Sequence, residues 1–349
     1  MTELKQIQFT PEVLARIAPD ISLKRHLTVG IRPNLRNFTE FNQIEIAPES
    51  NTLINLANKV IGSSIIKAGS TTIINTITMG IIEDEANLNQ YTSIYPVIDI
   101  LRGRSGAPTD EEMILSQNLY ETILHTKVLP HESLKINDLG ISVLEEEDVK
   151  IFYPEDREFE LLNRSTNKSY SYVLLSYIKV FSKQTSTLSL NDLCYISMIE
   201  ALKSTKLPRV YISDHSSGTK VAVRSRNTTK RGVVGNNSAN LHIDLNEEFL
   251  SPLKLKNNIG VSSNFGIINV DSKDQSEPIL LADLAGEAEE STILSKISII
   301  SDGDTLKKFS LINGDNSSDI SLDMIKNSIE LANFRAKELL QKTKNQFIV

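Results

Sequence analysis

The 349 residues are 40% hydrophobic and 23% charged, with 11 prolines and 15 glycines, a balance that excludes a disordered chain or a fibrous repeat and suits one large folded domain or two modest ones. The 37 Lys and Arg stand against 44 Asp and Glu, and this formal charge of −7 argues against a general nucleic-acid coat. The single cysteine, Cys194, excludes an intrachain disulfide and a two-thiolate zinc site; with no membrane-length apolar stretch and no apolar targeting core at the opening, a cytosolic or nuclear address is expected.

In chain order, Thr10-Pro11-Glu12 is a helix start, and it predicts a short helix to about Ala18 with a second from Asp20 to Leu27. Residues 1–29 therefore read as an N-terminal helical extension. Gly30 to Arg36 reads as an ordered loop with three candidate anion contacts, Arg25, Arg32 and Arg36. The β-branched runs Ile61–Lys67 and Thr71–Thr78, joined by Ala68-Gly69-Ser70, predict a hairpin, and a further strand runs from Ser93 to Leu101. Thr109 and Glu112 have capping-box spacing ahead of a helix whose apolar face is Met113, Leu115, Leu119, Ile123 and Leu124.

An acidic stretch follows, with Glu145, Glu146, Glu147, Asp148, Glu155, Asp156, Glu158 and Glu160, and it reads as an irregular, solvated insertion over about 143–168. Tyr170–Phe181 then predicts a strand and Asn191–Ser204 a helix, so the sheet-then-helix order recurs. From Lys203 to Arg231 the sign reverses, and this basic run reads equally as a solvated strand edge or as a surface for phosphate or an acidic neighbour. Short strands are expected at 209–212, 220–223, 239–243, 259–262, 265–270, 279–283, 292–301 and 306–313. A final helix over about 321–343 would bury Leu322, Ile325, Ile329, Ala332, Ala336 and Leu339. The predicted class is α+β, with duplicated sheet-and-helix halves in one domain.

Gly62–Ser70 is no phosphate loop, because its lysine precedes the glycine within a strand pattern. His26, His125, His131, His215 and His242 have no close metal spacing, and Cys194 lies in the apolar run of a helix, as a core residue would. Asp283 ends a strand with Glu287, Glu289 and Glu290 after it. Such a cluster can hold a metal, act as an acid or base, or be a polar strand end.

The chain resembles the RNase PH-like proteins, specifically the non-catalytic RNase PH-like ring subunits of the eukaryotic RNA exosome. Pro11–Ile17 and Gly30-Ile31-Arg32-Pro33-Asn34-Leu35-Arg36 are similar to the family's opening, with Asn34 and Leu35 where Asp-Gly is usual. Gly62–Thr71 is similar to its Gly-Ser-x-x-x-Lys-x-Gly-x-Thr hairpin. Gly103-Arg104, Lys206-Leu207-Pro208 and Leu281-Ala282-Asp283-Leu284 continue the match. The resemblance implies an RNase PH-like fold (ribosomal protein S5 domain 2-like) over 30–349.

Active members of that family carry a Gly-Gly-Thr-Arg phosphate site at the start of the second long helix, where this chain has Ser189-Leu190-Asn191-Asp192-Leu193. Asp192 puts negative charge where a dianion would bind, and no arginine replaces the missing one. Asp283 and Glu289 are expected to be a vestigial acidic site. The resemblance implies a catalytically inactive subunit, without metal or cofactor, in a six-membered ring of RNase PH-like proteins. RNA-binding cap subunits and a separate 3′-to-5′ exoribonuclease would complete an assembly acting on single-stranded RNA in nucleus, nucleolus and cytoplasm. It places Arg32, Arg36 and Arg104 near RNA, and Arg102 joins them by proximity; Lys220, Arg224 and Arg226 are expected at RNA or at another subunit. A phosphate-dependent exoribonuclease and an RNA-independent scaffold are the alternatives.

Overall fold

The structure is a computed structural model that describes residues 9–47, 54–84, 93–103, 106–145, 148–156, 169–181, 187–213, 223–224, 241–256, 258–269, 278–314 and 320–346. Helices α1 (Pro11–Ile17) and α2 (Pro19–Thr28) come first. Strands β1 (Ile44–Ile46), β2 (Val60–Ala68), β3 (Thr71–Asp84) and β4 (Ile94–Ile100) lead to α3 (Asp110–Thr126). Strands β5 (Lys135–Ile136), β6 (Leu139–Glu145), β7 (Asp148–Phe152) and β8 (Ser169–Phe181) lead to α4 (Thr187–Ser204). Then come β9 (Lys206–Leu207), β10 (Val210–Ile212), β11 (Val223–Arg224), β12 (Leu241–Ile243), β13 (Ser251–Pro252), β14 (Val261–Ile268) and β15 (Ile279–Ala282). Helix α5 (Gly286–Thr292), β16 (Ser295–Ser301), β17 (Leu306–Ile312) and α6 (Leu322–Gln346) complete the described elements.

The first sheet runs β1-β2-β3-β8-β4, and another runs β15-β14-β16-β17. The hairpin of β2 and β3 forms as its β-branched residues predict, with Ala68 opposite Thr71 and Gly69 at φ +60° in the turn. β8 does not begin a second half. It inserts between β3 and β4, antiparallel to the first and parallel to the second. The second sheet-and-helix unit is β14 to β17 with α6, so the order of elements along the chain misplaced the boundary between the halves. The acidic stretch is also more regular than expected at its start, because Leu139–Glu145 and Asp148–Phe152 pair as an antiparallel hairpin in a sheet ordered β12-β10-β6-β7. Residues 157–168 lie outside the described residues.

Helix α4 packs between β2 and β3 on one side and β14 on the other. That explains why it is buried on every face from Ser189 to Leu202 apart from Asn191. Close approach requires small residues on β2: a Cβ at Gly62 would lie 2.2 Å from Thr205 Oγ1 and 2.8 Å from the Ala201 carbonyl oxygen. Ser64 Oγ donates to the Ser197 carbonyl at 2.7 Å, and Ser204 Oγ to that of Ser63 at 2.8 Å. Beside this seam the capping box of α3 forms as predicted, and Glu112 also accepts the Ile100 amide at 2.8 Å, tying α3 to β4. Met113 and Leu124 are exposed, so the buried face of α3 is Leu115, Leu119 and Ile123.

Residues 259–270 were expected as two strands, but one strand, β14, is buried along its whole length, including Ser262, Ser263 and Asn264. Helix α6 packs Met324 and Ala332 against Phe265, Ile297 and Ile299, while Ala336 and Leu339 reach Ile66 and Ile196; Leu322 is exposed. Helix α2 joins the core, since Leu23 and Leu27 pack with Ile268, Leu281, Leu284 and Ile293. Burial of a leucine of this kind is worth about 2 kcal/mol.

Candidate functional site

The N-terminus of α4, the end of β15, the segment 32–42 and the middle of α6 converge on a buried ionic cluster. Asp283 sits just after β15 with φ +51°, a left-handed conformation that a short polar side chain tolerates. Its Oδ1 accepts Ser189 Oγ at 2.6 Å, and its Oδ2 accepts the Arg36 guanidinium and the Asn42 amide, both at 2.9 Å. Burial alone would raise its pKa, but Arg335, Ser189, Arg36 and the Asn42 amide together hold it below the usual carboxylate value.

Asp192 lies one turn further along α4, 1% exposed. It accepts Ser262 Oγ at 2.5 Å and Asn264 Nδ2 at 2.6 Å, with Arg335 Nη1 at 4.0 Å. Here burial prevails over these partners and pushes the carboxyl up to about 6. Arg335 rests over the Phe41 ring, 4.3 Å from its centroid, and Phe41 meets Phe265 edge-on. The expectation that no arginine stands by Asp192 is therefore corrected: Arg335 approaches it, supplied from α6 by long-range packing. Its sequence signal is slight: residue 335 falls on the buried stripe between Ala332 and Leu339.

Glu289 is held bidentately by Arg32, at 2.9 Å to Oε1 and 2.6 Å to Oε2, and its Oε2 also accepts the Ala285 amide at 2.8 Å. Arg32 is 0% exposed, and its remaining donors go to the carbonyls of Ala282 and Asp283. With every nitrogen of the guanidinium spent inside the fold, Arg32 has no face for a phosphate; the structure gives it an internal ion pair in place of the RNA contact expected of it. Arg36 also points inward, onto Asp283, and keeps only 15% side-chain exposure.

At the start of α4 the Thr187 amide donates to Glu290 Oε1, and Thr187 Oγ1 donates to Glu111 Oε1, each at 2.8 Å. Glu111 in turn holds Arg102 at 2.8 Å, and the Arg102 side chain is 37% exposed. The first turn of this helix, a natural anion seat, is thus occupied by the chain's own carboxylates. Among the described residues Asp283, Glu289 and Glu290 form no group that could hold a metal ion, each carboxylate being turned to a different donor. Of the other expected contacts, Arg104, Lys220 and Arg226 lie outside the described residues, and Arg224 is described only as backbone in β11.

Residues 46–208 match the family model for the 3′ exoribonuclease family, domain 1. Over 95% of this chain and 99% of the other, the structure is similar to a chain of the Archaeoglobus fulgidus exosome with RNA bound to the active site, with a TM-score of 0.58 at 15% identity. The chain shares that chain's fold. A chain of an archaeal exosome core agrees, with a TM-score of 0.56 at 16% identity over 96% of this chain and 100% of that one. Exosome complex component rrp43 of Schizosaccharomyces pombe is 29% identical over 138 residues, which are 38% of this chain and 49% of the relative. The chain thus spans about half the length of the curated relative it matches. The RNase PH-like fold expected from the motifs at Gly30, Gly62 and Leu281 is the fold the chain adopts.

Proposed function

We propose that this chain is a non-catalytic structural subunit of an exosome ring, helping to form the channel that guides single-stranded RNA to a separate 3′-to-5′ exoribonuclease. The observation that carries this reading is the occupied start of α4: Glu290 takes the Thr187 amide and Asp283 takes the Ser189 hydroxyl. An attacking phosphate would have to displace Glu290 and then sit beside two carboxylates, with Asp192 buried behind them. The two arginines nearest Asp283 and Glu289 are already neutralised, so no net positive charge remains to receive a dianion.

The similarity to an exosome component supports the choice of ring, with other RNase PH-like subunits, RNA-binding caps and an exoribonuclease as partners, and with RNA processing and degradation in nucleus, nucleolus and cytoplasm as the setting. Among the described residues no helix is long and apolar enough to cross a membrane. The chain should co-purify in a complex whose native mass fits a ring of RNase PH-like subunits, and alone it should release no nucleoside diphosphate from single-stranded RNA in the presence of phosphate. Multiple turnover that disappears in Asp283→Asn would refute the non-catalytic assignment.

A further inference from the structure

A groove of about 430 Å³ lies between β4 and α3 and shares no residue with the ionic cluster. Its lining is mainly apolar: Tyr95, Pro96 and Val97 come from the strand, Met113 and Tyr120 from the helix, and Pro108 from the loop before it. The two tyrosine rings stack with centroids 5.8 Å apart and planes 13° from parallel, a rigid aromatic pair. Val97 and Met113 are 43% and 52% exposed, and Tyr177, the register partner of Val97 on β8, carries the exposed apolar surface onto the sheet.

The backbone of β4 narrows what can lie there. An edge strand recruits a further strand through its outward N–H groups, and here those at 96, 98 and 100 are closed. Pro96 has none, the Ile98 amide donates to Ser116 Oγ at 3.2 Å, and the Ile100 amide to Glu112 Oε1 at 2.8 Å. Strand addition therefore has no donors to use. An occupant has to bring apolar bulk and leave its backbone polar groups to water, which is how a polyproline II segment docks on aromatic side chains. Charge narrows it again, because α3 carries no Lys or Arg. The nearby cations Arg102, Lys179 and Lys308 stand against Glu111, Asp99 and Glu121, which leaves Asp110 and the amide-bound Glu112 uncompensated. An acidic border repels a nucleic-acid backbone and favours a ligand with basic flanks.

We infer that this groove is a docking site for a proline-rich segment with basic flanks on a partner protein, seated in the polyproline II conformation against Tyr95 and Tyr120. The inference does not depend on the ring reading. The probe is a fluorescein-labelled decaproline flanked by arginine pairs, titrated against the full chain by fluorescence polarisation. Binding should saturate, and glutamates in place of the arginines should weaken it at least tenfold. Val97→Lys and Met113→Lys should each weaken it at least tenfold, while Leu322→Lys, exposed on α6, should leave it unchanged. Amide exchange of the unaltered protein should slow on peptide addition at 95–98 and 113–120, and this measurement decides should a variant melt lower. Equal affinity for a glycine-serine peptide with the same arginines would make the attraction charge alone and overturn the polyproline assignment. Absence of saturable binding, or protection confined to another part of the chain, overturns the site. Binding that is lost in a complex reconstituted with cognate RNase PH-like subunits would make the groove a covered subunit surface and overturn its role in docking a further partner.

Discussion

Asp192 and Asp283 feel the same guanidinium, that of Arg335, and shift in opposite directions. Asp283 gathers three direct donors and stays charged; Asp192 is more deeply enclosed than it is compensated. For Asp283 the folded-state pKa is depressed, so its contribution to stability is present above the unfolded value near 3.9 and is lost as pH falls further. For Asp192 the folded-state value, about 6, lies above the unfolded one. Between the two values the folded state binds the extra proton, so stability from this residue falls as pH rises from about 4 to about 6 and is flat above. The two-unit gap corresponds to roughly 3 kcal/mol. Urea unfolding of wild type and Asp192→Asn at pH 4.5 and pH 7 should show the variant gaining on wild type by about 2 kcal/mol at the higher pH. A difference that stays constant across that window would mean Asp192 does not titrate there.

Helix α6 shows what sequence could and could not reveal at the scale of an element. Its length and most of its buried stripe follow from the spacing of Ala332, Ala336 and Leu339, but a buried arginine in that stripe is meaningful only once the partner carboxylates, more than fifty residues upstream, are brought to it. Helix α5 was invisible for the opposite reason: Gly286–Thr292, rich in glutamate, has almost no apolar periodicity, and it is held by α2 packing against it and by Arg32 on Glu289. Strand β14 reads as two pieces in sequence because Ser262, Ser263 and Asn264 look like a turn; two of those side chains are the donors that hold Asp192. Arg335 thus fastens α6 to α4. Replacing it with methionine keeps the apolar stem over Phe41 but leaves Asp192 and Asp283 buried without that cation, at a cost of about 3–5 kcal/mol. Amide exchange in Arg335→Met should rise in both α6 and the segment 34–42. If only α6 loosens, the arginine anchors the helix alone and is not the shared fastening of this cluster.

Across the whole molecule, motifs separated by some 250 residues, Arg32 with Glu289 and Arg36 with Asp283, become direct contacts, so the opening loop is a strap across the second half of the fold. The fold family was legible because those motifs are local and ordered along the chain. The roles of the arginines were not, because burial depends on a global arrangement that the local pattern does not encode. The four arginines expected at RNA consequently separate into two kinds. Arg32 and Arg36 are struts turned onto Glu289 and Asp283, and Arg102 is a partly exposed cation held by Glu111; Arg104 lies outside the described residues. In the reconstituted complex, changing Arg102 and Arg104 to glutamate should weaken RNA binding for all sequences alike and make log affinity less steep in log salt by about 0.7 for each phosphate no longer neutralised, with melting unchanged. Arg32→Met should do the reverse, lowering the melting temperature by leaving Glu289 buried and unpaired while sparing the salt dependence of RNA binding in the complexes that still form. Unchanged affinity and salt dependence in the Arg102, Arg104 reversal would remove these two residues from the RNA path, and a normal melting temperature in Arg32→Met would show that the strap is held elsewhere.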